Sequence, residues 1–336
     1  AANRNGAESL LALVRQEGKE KVSYYMQKVR EHAAARMRET LRHIPDGRYE
    51  AVEHLDDGTP LRAAVTIRGD RCTIDFSGTG TVHAGNLNAT EAIVNGVIIY
   101  VLRLLVDEPV PLNDGLFEPV EIILPPGLLN PSFPDDPARC PAIVGGNVEV
   151  SQRLTDTLLK PFGILACSQG TMNNLLFGDD TFSYYETIGG GCGAGPSFDG
   201  ASGVHHHMTN TRITDPEVME HHYPVRLERF SLRRGSGGKG RHRGGDGLVR
   251  EILFLRELRL SLLTQHRTVA PYGMAGGEEG QPGEQYLIRA GGTREPLASI
   301  DGTTVRAGDR LVIKTPGGGG FGRKKKEEPG KKGTSL

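Results

Sequence analysis

Glycine is what most constrains this chain: 46 of its 336 residues are glycine, about twice the usual fraction. The glycines follow no Gly-X-Y period, which excludes a triple helix. They gather instead in runs such as Gly189-Gly190-Gly191-Cys192-Gly193 and Pro316-Gly317-Gly318-Gly319-Gly320-Phe321-Gly322. Excess glycine without a repeat means many positions at positive φ, or places where two backbones approach too closely for a Cβ. With 37% hydrophobic and 24% charged residues, the chain can still bury one large or two ordinary domain cores, so disorder and coiled coil are also excluded.

Lys and Arg number 40 against 41 Asp and Glu, a formal charge of -1. No whole-protein field draws such a chain to nucleic acid or to an anionic membrane. Cys72, Cys140, Cys167 and Cys192 show no CxxC and no paired short spacing, so neither a disulfide framework nor a zinc ribbon is encoded. Charges interrupt every apolar stretch near the start, and the longest apolar run, residues 98–105, contains Arg103. That run is far short of the roughly 20 residues a membrane span needs. A soluble, cytoplasmic protein is expected.

The order of patterns predicts an α+β fold: N-terminal helices and a β-meander, a glycine-rich centre and a β-rich C-terminal half. In residues 8–43 apolar side chains recur at three- and four-residue steps, giving one or two amphipathic helices with Gly18 as the break. Residues 49–55, 61–68 and 71–76 alternate as three meander strands. Residues 88–106 are apolar nearly all round and predict a buried helix capped by Asn88 or Thr90. These make a first region, 1–110. The second, 111–224, is rich in glycine and proline, with a short strand at 120–124 and a helix at 147–162. The third, 225–322, reads as period-two strands between glycine turns, and 323–336 as a disordered tail.

Several constellations could carry chemistry. His205 and His207 flank His206 and would face one side of an extended strand, half of a metal site. The competing reading is hydrogen-bonded imidazoles in a packed, partly polar interior. Gly145-Gly146-Asn147, directly before a helix, could present N–H groups to an anion or could be an Asn N-cap after a tight turn. The glycine runs lack the Gly-Lys-Ser/Thr ending of a nucleotide loop. Cys192 reads as a small buried thiol. Arg233, Arg234, Lys239, Arg241, His242, Arg243 and Arg250 form a basic, glycine-laced stretch suited to wrapping an anion or meeting a partner subunit.

Taken together, GGNVEVSQRLTDTLLKPFG, CSQGTMNN, YYETIGGGCGAGPSFDGASGVHHHMTNTRITDPE, HYPVRLERFSLRRGSGGKGRHRGGDGLVRE and TPGGGGFG closely resemble the hydantoinase B/oxoprolinase family. DFSGTGTVHAGNLNA and VPLNDGLFEPVEI fit it too, so the similarity runs from about residue 1 to 322. The resemblance implies one component of an ATP-dependent cyclic amide hydrolase. A hydantoinase A-type partner binds ATP and Mg and phosphorylates the ring oxygen of 5-oxoproline, a hydantoin or a lactam, and the B-type component completes ring opening. Relatives of the acetone carboxylase type imply an alternative, an ATP-dependent ketone carboxylase subunit. From a different class, a non-catalytic assembly module is also compatible, as is a stand-alone metal hydrolase built on His205 and His207.

The family's B component usually has further residues before the point where this chain begins, with an Asn-Asp-Pro-Tyr-like and a His-His-Ala-Asp-like segment that are implied to supply the ligands of a divalent metal, Mn, Zn or Fe. Neither segment occurs here. The expectation is therefore that the chain itself supplies no metal ligands, that the N-terminal part of the B-type component is a second partner, and that the assembly is a hetero-oligomer. A split subunit, for which Ala1-Ala2 would suit removal of an initiator Met, a fragment and a processed product all fit. The VHxHMTNTR pattern falls on Val204, His205, His207, Met208, Thr209, Asn210, Thr211 and Arg212, with His206 at the variable position. The resemblance places His205 and His207 near the active cavity, hydrogen-bonding a carboxylate or the acyl phosphate. It makes Gly145, Gly146, Asn147, Asn210, Arg212 and Asp215 substrate-orienting, with Arg212 pairing with Asp215 or an anion.

Overall fold

A computed structural model describes residues 1–324; the tail expected from residue 323 falls, from 325 onward, outside the described residues. The fold is α+β, with five α-helices and thirteen strands in three sheets among the described residues. Helices α1 (Ala2–Glu17) and α2 (Lys19–Arg42) are separated at Gly18, whose φ of 85° is a left-handed value that glycine adopts without strain. Ala33, Met37 and Leu41 recur at four-residue steps on α2 and are fully buried, whereas α1 buries none of its residues.

Strands β1 (Gly47–His54), β2 (Pro60–Arg68) and β3 (Arg71–Asp75) form the antiparallel meander expected from their alternation. The sheet gains a fourth strand, β4 (Val120–Ile123), which runs parallel to β3. A parallel neighbour needs a long crossover, and the chain between β3 and β4 contains helix α3 (Glu91–Leu105). Helix α3 buries Val94, Val97, Ile98, Val101 and Leu102 on one stripe and leaves Leu104 half exposed, so it is amphipathic in place and not buried all round. Thr90 stands at its N-cap without a side-chain bond. Asn88 is instead a fully buried staple, accepting the His83 amide at 2.7 Å and donating to the carbonyls of His83 and Ala142.

Next comes a single π-helical turn, Gly146–Val150, running into α4 (Ser151–Leu159), all nine residues of which are buried. Val150, Leu154, Leu158 and Leu159 pack with α2, α3 and the first sheet in one apolar core. The opposite face of the helix is polar.

The second core lies between two antiparallel sheets. One has the order β12-β9-β5-β6 and the other β11-β10-β13-β8-β7. Their strands are β5 (Asn174–Gly178), β6 (Ser183–Glu186), β7 (Val225–Arg233), β8 (Gly247–Phe254), β9 (Leu258–Leu263), β10 (Glu284–Ile288), β11 (Arg294–Pro296), β12 (Ile300–Val305) and β13 (Arg310–Lys314). Helix α5 (Pro216–His222) precedes β7. Phe177, Leu260 and Leu262 from one sheet meet Ile252, Phe254 and Leu311 from the other. Strand β12 holds Gly302 and buries only Val305, so its sequence gives little periodic signal. Strand β11 stops after three residues at Pro296, which has no N–H for a ladder.

The glycine runs form a third kind of interior, backbone against backbone. Gly191 donates to Pro316 O, Gly245 to Cys192 O, Gly318 to Gly245 O and Gly319 to Cys167 O, all at 2.8–3.0 Å. A Cβ on Gly318 would sit 1.9 Å from the Cys192 carbonyl oxygen, closer than any real contact. Close approach, and not positive φ, accounts for these glycines. Their N–H groups are used inside the fold, which removes the phosphate-loop reading.

Candidate active site

The π turn and α4 carry Glu149, Gln152, Arg153 and Asp156 at positions i, i+3, i+4 and i+7, a single helical face. All four are at most 1% exposed, although such side chains are rarely buried fully. This face meets the turn at residues 205–209 and the loops at 167–174 and 264–272. Gln152 donates to His206 O at 3.1 Å. Asp156 Oδ1 accepts the Ser168 amide at 3.1 Å and lies 3.3 Å from His207 Nε2. The other ring nitrogen of His207, Nδ1, is 3.1 Å from Tyr100 Oη on α3. A carboxylate can only accept, so the network assigns a proton to Nε2, which donates to Asp156, and sets Nδ1 against the tyrosine hydroxyl.

Burial would raise the Asp156 carboxyl, but His207, His206 and the Ser168 amide outweigh it and hold the group below the usual carboxylate value. Burial, with Asp156 and Cys192 nearby, pushes Tyr100 up to about 12, so its hydroxyl keeps the proton at neutral pH. Burial and the neighbouring His207, opposed by Asp156, push His206 down to about 3. At the N-terminal end of the face, burial pushes Glu149 up to about 8, against hydrogen bonds that include the Met172 amide at 3.0 Å and Asn174 Nδ2 at 2.6 Å. Glu149 is therefore a carboxylic acid at neutral pH. Burial and Arg153 also keep His266 neutral; its Nδ1 donates to Val269 O at 2.6 Å and its Nε2 faces Cys167 Sγ at 3.6 Å.

Two further features mark this centre. Asn173, His207 and His266 are three of the four non-glycine residues with positive φ among the described residues, at 48°, 54° and 56°, conformations that persist only where the surroundings enforce them. Among the described residues, ten buried side-chain nitrogen and oxygen atoms have no hydrogen-bond partner; nine belong to Glu149, Arg153, Asp156, Gln169, His205, His206 and Thr209. Orphaned polar atoms are uncommon in native interiors; four of the nine lie on the α4 face and the other five on Gln169 and residues 205–209, which marks a place for polar chemistry.

The structure treats the sequence-picked residues unevenly. His205 and His207 do not share a strand face, because the chain turns at His207 and Met208 and His207 takes a left-handed φ. His207 enters the centre with His206, whose ring lies 4.7 Å from it, edge to face, while His205 Nε2 stands 3.5 Å from Thr211 Oγ1. Asn210, Arg212 and Asp215 are exposed. Asp215 does not pair with Arg212; its carboxylate caps α5 by accepting the Glu217 amide at 2.9 Å. Gly145 and Gly146 press on residues 86–89, where a Cβ on Gly146 would lie 2.1 Å from Asn88 O. Asn147 is exposed inside the π turn, its carbonyl accepting Ser151 Oγ at 2.5 Å, and is not an N-cap. Cys192, expected as a buried thiol, is only partly buried, and burial and Asp156 push its thiol up to about 12. Of the basic stretch, Arg250 is turned inward onto Glu186, at 2.6 and 3.0 Å.

Sequence reading missed Glu149, Gln152, Arg153, Asp156 and Tyr100. A signal existed for the first four, polar residues at helical spacing between Val150, Leu154 and Leu158. Among the described residues no three His, Cys, Asp or Glu side chains converge as a metal-holding group. The side chains present do not fit the implied divalent metal by themselves.

A chain with this fold and this buried polar face matches, over residues 1–324, the family described as hydantoinase B/oxoprolinase. The chain belongs to the hydantoinase B/oxoprolinase family. It is 47% identical to 5-oxoprolinase 1 of Arabidopsis thaliana over 96% of its length, and 42% identical to 5-oxoprolinase of Dictyostelium discoideum over 96%. In both cases it spans 26% of the relative. Among solved structures, the ATP-dependent caprolactamase from Pseudomonas jessenii superposes with a TM-score of 0.83 at 24% identity, covering 95% of this chain and 59% of that one. Nucleotide-free acetone carboxylase gives 0.75 at 18% identity, over 94% of this chain and 51% of that one. Both likenesses are of fold. Among the described residues no helix is long and apolar enough to cross a membrane.

Proposed function

We propose that this chain is part of an ATP-dependent cyclic amide hydrolase, the part that opens a ring activated by phosphorylation elsewhere in the assembly. The observation that carries the reading is the line Tyr100, His207, Asp156. In the phosphorylated ring, the water oxygen bonds to the ring carbon as water gives up its two protons, and the ring nitrogen gains both as it takes the electron pair of the broken C–N bond. The phosphoryl group stays on the acyl oxygen and leaves as phosphate when a second water hydrolyses the acyl phosphate to the carboxylate. A neutral imidazole oriented by a buried carboxylate can serve both transfers in turn. Asp156 stabilises the imidazolium formed between them, and Tyr100, which is only partly buried, passes the proton between His207 and the reacting groups.

The relatives named 5-oxoprolinase and caprolactamase support a lactam-like substrate. ATP and Mg belong, in this reading, to a hydantoinase A-type partner. The divalent metal, Mn, Zn or Fe, would be held by the N-terminal part of the B-type component, and no step derived for this chain runs through it. The test is 5-oxoproline- and hydantoin-dependent ATP hydrolysis by the assembled enzyme, with the ring-opened product quantified. Turnover that instead requires bicarbonate and a ketone would overturn the reading in favour of a carboxylase.

A further inference from the structure

We propose that the loop joining β7 to β8 builds a binding site for a phosphate-bearing anion. The fold sorts the basic residues of this stretch into two sets. Arg250 is buried against Glu186. Arg233 donates to the carbonyls of Pro282 and Thr315 at 2.7 and 3.2 Å, Arg241 to Pro196 O at 2.5 Å, and His242 faces Asp199 at 3.5 Å. Arg234 and Lys239, by contrast, pair with no carboxylate among the described residues, and with Arg243 and Lys324 they line a cavity of about 490 Å³.

Asp246 is the one acidic residue in the lining among the described residues. It is 5% exposed, and its Oδ1 accepts the Gly237 amide at 2.9 Å and the Arg243 guanidinium. The Asp246 amide donates to Ser202 Oγ at 2.8 Å. Asp246 thus offsets one cation and fixes the loop, leaving the cavity with a clear positive excess. Gly235, Gly237 and Gly240 form part of the wall and add no side chain to it, so a ligand can reach the guanidinium and ammonium groups unobstructed. Doubly charged tetrahedral oxygens suit a set containing two arginine forks better than a single carboxylate does. A linked pair of phosphates engages more of these cations than one phosphate.

The site shares no residue with the α4 centre and stands or falls independently of the proposed reaction. The experiment is isothermal titration of the full chain at low salt with inorganic phosphate, pyrophosphate and ATP, repeated with the Arg234→Ala, Lys239→Ala double variant and with His207→Ala. Both basic side chains are exposed, so the double variant keeps its fold, checked by circular dichroism. Pyrophosphate is expected to bind saturably, about tenfold or more tighter than phosphate, with the double substitution weakening it by about tenfold or more and His207→Ala leaving it unchanged. ATP binding as tightly as pyrophosphate supports a nucleotide as the source, and ATP failing while pyrophosphate binds supports a smaller phosphate. Absence of saturable binding by all three, equal binding by the double variant, or capture of a polyglutamate peptide without any phosphate binding overturns the proposal.

Discussion

Asp156 and His207 are 51 residues apart in sequence, yet His207 Nε2 lies 3.3 Å from Asp156 Oδ1, with the two side chains 5% and 2% exposed. A two-turn helical face and a strained turn are folded onto each other to make this pair, with Gln152 gripping the backbone at His206. If it serves proton transfer, His207→Ala in the assembled enzyme should lower kcat by about 10²- to 10⁴-fold. KM should change little and the complex should stay intact by size-exclusion chromatography. Asp156→Asn, which keeps the shape and removes the charge, should fall in the same range. Undiminished kcat in both variants would leave the pair a structural one.

Glu149 gives a pH signature. Its pKa rises from 4.5 to about 8 on folding, so the folded chain binds a proton that the unfolded chain has already released between those values. The stabilisation is fully present below about pH 4.5 and is lost as pH rises through about 8. Glu149→Gln mimics the protonated acid and should flatten this loss, with a difference in slope of up to about 1.4 kcal/mol per pH unit inside the window. Urea unfolding from pH 5 to 9 on both proteins measures it, and parallel curves would contradict the assignment.

Much of the architecture was legible because its signals are local. Gly18 breaks a period-3.6 pattern, Arg71 to Asp75 alternate, and each reports on its own neighbourhood. The site was not legible in the same way. Asp156 and Glu149 look like ordinary polar positions on a helix, and only the packing of residues 167–174, 205–209 and 264–272 over α4 buries them. His206 shows the converse. It stands at a position the family pattern leaves variable, yet both of its ring nitrogens are shut away from solvent without partners, because the turn at His207 swings it inward.

Arg250 and Glu186 tie the two facing sheets together. Their side chains are 1% and 3% exposed, and Tyr184 Oη donates to Glu186 Oε2 at 2.7 Å. Removing one partner strands the other charge in the core, so Arg250→Ala should cost about 3–5 kcal/mol. Replacing both, as Arg250→Met with Glu186→Leu, should cost much less, since two apolar side chains need no desolvated partner. Equilibrium denaturation of the two variants separates a stranded charge from lost packing. A double variant as unstable as Arg250→Ala would mean packing dominates.

The glycine core makes the sharpest contrast within one residue type. A methyl group on Gly318 would overlap the Cys192 carbonyl oxygen at 1.9 Å and its carbon at 2.2 Å, both backbone atoms that cannot rotate away. Gly291 has nothing within 4 Å of the same added carbon. Gly318→Ala should therefore destabilise the chain by more than about 4 kcal/mol, whereas Gly291→Ala should stay within about 0.5 kcal/mol of the parent. Because Gly318 donates to Gly245 O and the Gly319 amide to Cys167 O, the damage should spread to the loop that carries Ser168. Hydrogen exchange would show it as lost protection at Gly245 and at the Ser168 amide, which donates to Asp156. A Gly318→Ala protein that folds normally and keeps those amides protected would show that the backbone packing yields more easily than this geometry requires.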